Sequence, residues 1–293
     1  MQRNFKQIDV FTSTPYRGNP VAVVLDGAGL SDDVMQLFAR WTNLSETTFL
    51  LPPTDHAADY QLRIFTPGGE LPFAGHPTLG SCHGWLEAGG KPKSGGFIVQ
   101  QCKQGLVRLR RDGNRLAFAA PPVKRSAPSP AVLAQVAGAL GLKANQIVTA
   151  QMLDNGPVWL GLLLDSPQTV LELTPDHLAL KNLGQKAGVA ARYPGAESAG
   201  TGESPALEVR AFAAPIGVIE DPVTGSLNAS LAQWLIAEGH LPQRYVAAQG
   251  ACLERAGRVH IVAESNDRNA GPGAAQVWVG GQSVTCISGQ VNL

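Results

Sequence analysis

Three ionisable side chains stand where proton transfer is chemically reasonable. Glu46 lies in Leu44-Ser45-Glu46-Thr47-Thr48-Phe49, between small hydroxyl residues and ahead of the apolar run Phe49 to Leu51. A partly buried carboxylate in such a setting has its pKa raised toward that of a general base. The same glutamate also reads as a capping residue paired with Asn43. His76, in Gly75-His76-Pro77, stands at the mouth of a predicted helix. The helix dipole there disfavours the protonated ring, and a neutral imidazole can donate or accept a proton, although a first-turn residue with no chemistry has the same signature. Asp221, in Glu220-Asp221-Pro222-Val223-Thr224-Gly225-Ser226, precedes a second helix. It suits orienting a histidine or binding an amine, and it equally suits a plain turn before proline.

Both helix starts, Gly75 and Gly225-Ser226, offer unpaired backbone N–H groups and a partial positive charge, which favour an anion. Two such ends facing one cleft would suit a small carboxylate; each is also an ordinary helix cap. A serine hydrolase built from Ser226, His76 and Asp221 is disfavoured because Ser226 is not in a G-x-S-x-G elbow. A metal site from Glu46, His76 and Asp221 lacks ligand spacing such as H-E-x-x-H, so no metal is expected. No G-x-G-x-x-G or G-x-x-x-x-G-K-S/T segment occurs, which argues against a dinucleotide fold and a P-loop.

The elements that must position these groups come in two similar sets. Gly18-Asn19-Pro20-Val21 and its apolar run resemble Asn155-Gly156-Pro157-Val158 and its own. Arg63-Ile64-Phe65 recurs as Arg210-Ala211-Phe212, Trp85-Leu86-Glu87-Ala88 as Trp234-Leu235-Ile236-Ala237, and Arg111-Asp112-Gly113 as Arg255-Ala256-Gly257. The constant order suggests a duplicated unit of about half the chain, the size of a domain. Runs at Val21 to Leu25, Leu62 to Phe65, Val107 to Leu109, Val209 to Phe212 and Val259 to Val262 read as strands. A helix is predicted through Trp41 with Ser31 as its cap and Leu30 as a staple, and further helix starts at Ser129-Pro130 and Thr174-Pro175-Asp176. The central helices are predicted over Pro77 to Ala88 and Ser226 to Glu238, each apolar along one face. The proline-rich stretch Ala120 to Pro130 reads as the linker, with lobes at 1–122 and 123–293.

The 293 residues carry 23 basic and 23 acidic side chains, so nothing attracts nucleic acid or an anionic membrane surface. The longest apolar stretch, Val158 to Leu164, is far short of the ~20 residues that span a bilayer. Cys82, Cys102, Cys252 and Cys286 are far apart with no C-x-x-C pair and read as buried free thiols of a reducing compartment. A soluble cytoplasmic chain is the expectation.

Taken together, Gly18 to Val23, Leu44 to Phe49, Arg63-Ile64-Phe65-Thr66-Pro67, Glu70 to Gly80 and Glu220 to Ser226 resemble the phenazine-biosynthesis PhzF-like isomerase family from residue 9 onward. That family is related to diaminopimelate epimerase. The resemblance implies an α+β fold of two pseudo-symmetric lobes, each a curved mixed β-sheet wrapped around a central helix, with the final strand region, 277–293, returning to the first lobe. It implies an isomerase without a cofactor, in which Glu46 moves a proton within a compound of the trans-2,3-dihydro-3-hydroxyanthranilate type. His76 and Asp221 would hold polar groups and assist, and backbone at Gly75, Gly225 and Ser226 would hold the carboxylate. A homodimer is implied too. The thiol-dependent epimerases place a cysteine at each central helix start, whereas this chain has Gly75-His76 and Gly225-Ser226, so a two-thiol racemase is contradicted. An isomerase or epimerase of another amino-acid-derived metabolite, and a non-catalytic small-molecule- or protein-binding member of the fold, remain as alternatives.

Overall fold

The computed structural model describes residues 1–195, 204–264 and 275–293. It divides into two units, Met1–Ala119 with Gly280–Leu293, and Ala120–Val279. The first lobe runs β1 (Gln2–Val10), β2 (Asn19–Val24), α1 (Asp32–Thr42), β3 (Thr47–Leu51), β4 (Tyr60–Thr66), β5 (Gly69–Leu71), α2 (Gly75–Glu87), β6 (Ile98–Cys102), β7 (Gly105–Asp112) and β8 (Arg115–Ala119). Strand β2 lies antiparallel to β1 and parallel to β3; β4 lies antiparallel to β3 and parallel to β6, and β7 and β8 follow antiparallel. A mixed sheet results, with the short β5 hairpinned onto β4.

The second lobe repeats this scheme with β9 (Lys124–Ser126), α3 (Pro130–Leu140), β10 (Ile147–Asp154), β11 (Val158–Leu164), α4 (Pro167–Glu172), α5 (His177–Leu183), β12 (Ala187–Arg192), β13 (Leu207–Ala213), β14 (Val218–Asp221), α6 (Gly225–Ala237), β15 (Arg244–Gln249), β16 (Gly257–Glu264) and β17 (Gln276–Gly281). The β10, β11, β12, β13 and β15 pairings have the same senses as those of β1, β2, β3, β4 and β6, and β14 hairpins onto β13 as β5 does onto β4. The last strand, β18 (Ser283–Asn292), pairs antiparallel with β1 in the first lobe, where β9 pairs with β10 in the second.

Sheet register settles which sequence matches are structural. Arg63 and Arg210 occupy the same place in their strands: Phe49 faces Arg63 across β3 and β4, and Val189 faces Arg210 across β12 and β13. Ala22 pairs with Thr47 at the start of β3, and Leu160 with Ala187 at the start of β12, so Val21 corresponds to Trp159 and the two Pro-Val motifs match one residue out of step. The helices α2 and α6 both have 13 residues and start 150 positions apart, so the tryptophans at 85 and 234 also match one residue out. The Arg111 and Arg255 segments are not equivalent, since Gly113 lies in the turn after β7 whereas Gly257 opens β16.

Local chemistry explains most helix ends. Ser31 caps α1 by accepting from the Val34 N–H, Asp32 and Asp33 lie in its first turn, and Asn43 closes it in the left-handed conformation. Leu30 packs against the core cluster that includes Met35 and Phe38, which is consistent with a staple. Ser129 caps α3 with Pro130 at its first position. At the third expected start the cap is Asp176, not Thr174, and the helix begins at His177. The presumed linker carries the strand β9. Both central helices begin earlier than the sequence suggests, at Gly75 and Gly225, and both are buried on nearly every side along their first two turns rather than on one face. A helix wrapped by a sheet has no solvent side to mark in its sequence. Among the described residues no helix is long and apolar enough to cross a membrane. All four cysteines are free; Cys82 and Cys102 are buried, but Cys252 is exposed, so burial does not account for every thiol.

Candidate active site

In the first lobe, Glu46 stands at the end of the loop from α1 into β3. Its carbonyl accepts from the Ala22 N–H of β2, at 3.4 Å, and so continues the parallel pairing by one step. Asn43 is the C-cap of α1 and Glu46 lies beyond it, so the glutamate has no capping role. Side chains alternate along a strand. Thr48 on β3 bonds Ser81 of α2 through their hydroxyls at 2.8 Å, and Glu46, two residues earlier, faces the same central helix. Its Oε2 lies 3.4 Å from His76 Nε2 in the first turn of α2, with side chains only 15% and 6% exposed. The other ring nitrogen, Nδ1, is 3.3 Å from the amide Nδ2 of Asn19, the first residue of β2.

Burial raises the pKa of Glu46 to about 7, with a hydrogen bond from Ser45 acting the other way. A carboxyl with that pKa can take a proton and return it near neutrality. Cys82 sits deep in the same helix, and burial pushes its thiol up to about 12, so it is no accessible nucleophile.

Asp221 occupies the corresponding region of the second lobe, at the end of β14 and ahead of α6. Its Oδ2 accepts from the Thr224 hydroxyl at 2.6 Å. Gln249, at the end of β15, ties this corner together. Its Nε2 donates to the Asp221 carbonyl and to the Thr224 hydroxyl oxygen, and its Oε1 accepts from the Thr224 N–H and from the Asn228 amide. The proposed turn residue is thus fixed by a buried network. Ser226, in the first turn of α6, has its hydroxyl oxygen bonded by the Trp159 indole at 3.2 Å and its carbonyl by the Asn155 amide at 2.9 Å.

An arginine fork holds each strand that leads into a central helix. Arg63 makes paired bonds to Glu70 of β5 at 2.9 and 2.7 Å, and Arg210 makes paired bonds to Glu220 of β14, both at 2.9 Å. Each guanidinium also lies over a phenylalanine ring on its own strand, Phe65 or Phe212, 5.0 Å from the centroid. The Arg-x-Phe repeat is therefore a clamp on the approach to His76 in one lobe and to Asp221 in the other.

Comparison with known proteins now adds identity to geometry. The profile of the family described as "Phenazine biosynthesis-like protein" matches residues 8–289. The chain belongs to this family. It is 38% identical to "Antisense-enhancing sequence 1" of Schizosaccharomyces pombe, over 99% of this chain and 98% of that protein. It is 33% identical to the trans-2,3-dihydro-3-hydroxyanthranilate isomerase of Pseudomonas aeruginosa, over 98% of each. The crystal structure of a Bacillus anthracis phenazine biosynthesis protein of the PhzF family is similar in fold, with a TM-score of 0.85, 21% identity and full coverage of both chains. The α+β fold of two lobes is that of the family.

Of the residues singled out in the sequence, Glu46 and His76 are brought together, and Asp221 and Ser226 each sit at the start of α6 with partners of their own. Gly75 and Gly225 open the two central helices. The residues that sequence reasoning missed as site components are Asn19, Thr224, Gln249 and Trp159. Asn19 stood in plain view inside Gly18-Asn19-Pro20-Val21, but its partner His76 is 57 positions away. Gln249 carries no local signal, because its role exists only once β15 lies beside β13.

Proposed function

We propose that this protein is a cofactor-independent isomerase that shifts a proton within a small unsaturated amino- or hydroxy-carboxylic acid, with Glu46 as the general acid and base. The observation that carries the reading is the buried Glu46 carboxyl, with a pKa of about 7, 3.4 Å from His76 Nε2. Glu46 removes a proton from a substrate carbon and returns it elsewhere on the same conjugated system, a step worth about 10²- to 10⁴-fold in rate. His76 and Asp221 hold polar groups and assist proton placement. Gly75, and Gly225 with Ser226, are each in their own lobe a helix start suited to a carboxylate. Support for a substrate of the trans-2,3-dihydro-3-hydroxyanthranilate type comes from the Pseudomonas relative of that name. A homodimer in the cytoplasm completes the proposal; light scattering on the purified protein tests the dimer.

A second reading, isomerisation or epimerisation of another amino-acid-derived metabolite, is favoured by the higher identity to the fission-yeast relative, whose name carries no such substrate. One experiment separates the two. The protein and its Glu46→Gln variant are incubated in D2O with trans-2,3-dihydro-3-hydroxyanthranilate and a panel of unsaturated and hydroxylated amino acids, and carbon-bound deuterium is followed by NMR. Glu46-dependent conversion of the anthranilate-type compound supports the first reading, and exchange confined to another compound supports the second. Full activity in Glu46→Gln would remove Glu46 as the base and leave an enzyme that uses another group, whereas no exchange with any compound would favour an untested substrate or a binding protein of this fold.

A further inference from the structure

We infer that Asn19 is a positioning residue that fixes the tautomer of His76, holding the ring proton on Nε2, the nitrogen 3.4 Å from Glu46 Oε2. The inference deepens the acid–base reading above and rests on it for its functional meaning. The imidazole is addressed from both edges: Asn19 Nδ2 lies 3.3 Å from Nδ1, and Glu46 Oε2 lies 3.4 Å from Nε2. A neutral imidazole carries one N–H, and the bond made by one nitrogen decides the state of the other. An amide N–H donated to Nδ1 requires a lone pair there, which leaves the proton on Nε2. The nitrogen facing Glu46 is then a donor in the resting enzyme. At 3.4 Å the two groups are within ion-pair reach without forming an aligned hydrogen bond in this state, and as a neutral ring His76 cannot accept a proton at that atom. Glu46 is therefore the group that accepts the substrate proton, and His76 is confined to donation.

The sequence around Asn19 explains how one amide can be held to this task. Asn19 is 1% exposed and opens β2, paired with Val10 of β1. A Cβ on the preceding Gly18 would come within 2.3 Å of the Val10 carbonyl oxygen, so only glycine lets the chain enter the strand this close. The Gly18 N–H in turn donates to the buried Asp9 carboxylate at 3.3 Å. Pro20 follows with its fixed φ. Glycine, asparagine and proline thus divide the work: close approach, hydrogen bonding to His76, and rigidity.

The test is a 15N–1H NMR measurement on the full-length protein with labelled histidine, assigned through His76→Gln. In neutral His76, the inference requires the unprotonated signature at Nδ1 and the protonated one at Nε2. In Asn19→Asp, an ionised carboxylate would accept from Nδ1–H and reverse the pattern. Proton exchange into substrate should then fall by about 10²-fold in kcat with KM little changed. Asn19→Leu, which only removes the donor, should leave a mixture of tautomers and an intermediate loss. A wild-type spectrum with the proton on Nδ1 overturns the inference, even if no variant folds, and so does an unchanged tautomer in a folded Asn19→Asp. Full activity of Glu46→Gln would instead sink the acid–base reading while leaving the tautomer result standing.

Discussion

The two lobes place opposite charges at the same point of the same scaffold. In the first, the carbonyl of Glu46 accepts from Ala22 just before β3; in the second, the carbonyl of Lys186 accepts from Leu160 just before β12. Both side chains belong to the sheet face that looks at the central helix. Thr48 shows this by bonding to Ser81, and Gly188 by lying so close to Leu227 of α6 that a Cβ would stand 2.3 Å from it. Glu46 meets the imidazole of His76, whereas the Lys186 ammonium lies over the Trp159 ring, 5.2 Å from its centroid, and burial lowers its pKa. At the helix starts, histidine in one lobe is replaced by Ser226, bonded to that same Trp159, in the other. Duplication supplied two equal positions, and only the first holds a carboxyl beside an imidazole. In the proposed reading that asymmetry is why one base, rather than an opposed pair, does the chemistry.

The sharpest way to break this comparison is to remove the two counterparts in turn. Glu46→Gln should lower carbon-bound exchange by about 10²- to 10⁴-fold. Lys186→Met, which removes no proton-transfer group of the proposed reaction, should lower it by less than about tenfold; equal losses would show that the second lobe shares the chemistry.

The arginine forks allow a structural version of the same test. Arg210 and Glu220 are 6% and 7% exposed, against 18% and 11% for Arg63 and Glu70. Arg210→Met strands a buried carboxylate and should cost about 3–5 kcal/mol in urea unfolding. Arg63→Met should cost less, about 1–3 kcal/mol, because water reaches its partners and Lys103 remains 2.6 Å from Glu70.

A third prediction concerns pH. The folded-state pKa of Glu46 is raised to about 7 from an ordinary 4.5, so the folded protein holds a proton that the unfolded chain has released between those values. Stability should therefore fall as pH rises from about 4.5 to 7 and level off above it, by about 3 kcal/mol for this group. Glu46→Gln lacks that fall, and between pH 4 and pH 8 it should gain about that much relative to the wild type in urea midpoints. An effect of the same size as that of Arg63→Met is expected from Gln249→Leu, which removes four bonds around Asp221 and Thr224. It should destabilise by about 1–3 kcal/mol and lower exchange without abolishing it; an unaltered protein would mean that the network does not position Asp221.

Much of this arrangement was legible in the sequence, and what was hidden has a common cause. The duplication was visible in Arg63-Ile64-Phe65 and Arg210-Ala211-Phe212, because a clamp built within one strand and the next keeps its residues close in sequence. Ser31 and Ser129 marked their helices because capping is local. The starts of α2 and α6 lie earlier than their local sequence marks them. Neither has a side-chain cap, and their burial comes from strands far along the chain. Glu46 and His76 could each be named from their motifs, but their separation of 3.4 Å, the hold of Asn19 on the ring and the counterpart Lys186 all depend on sheet register.

The central claim is that the first lobe holds a carboxyl poised near neutrality, and a 13C NMR titration of the Glu46 carboxyl tests it most directly. With labelled glutamate and Glu46→Gln for assignment, the account predicts a midpoint near 7, well above the other glutamates. A midpoint near 4.5 would contradict it, because the carboxylate would then be an ordinary weak base with no poise for proton transfer near neutrality.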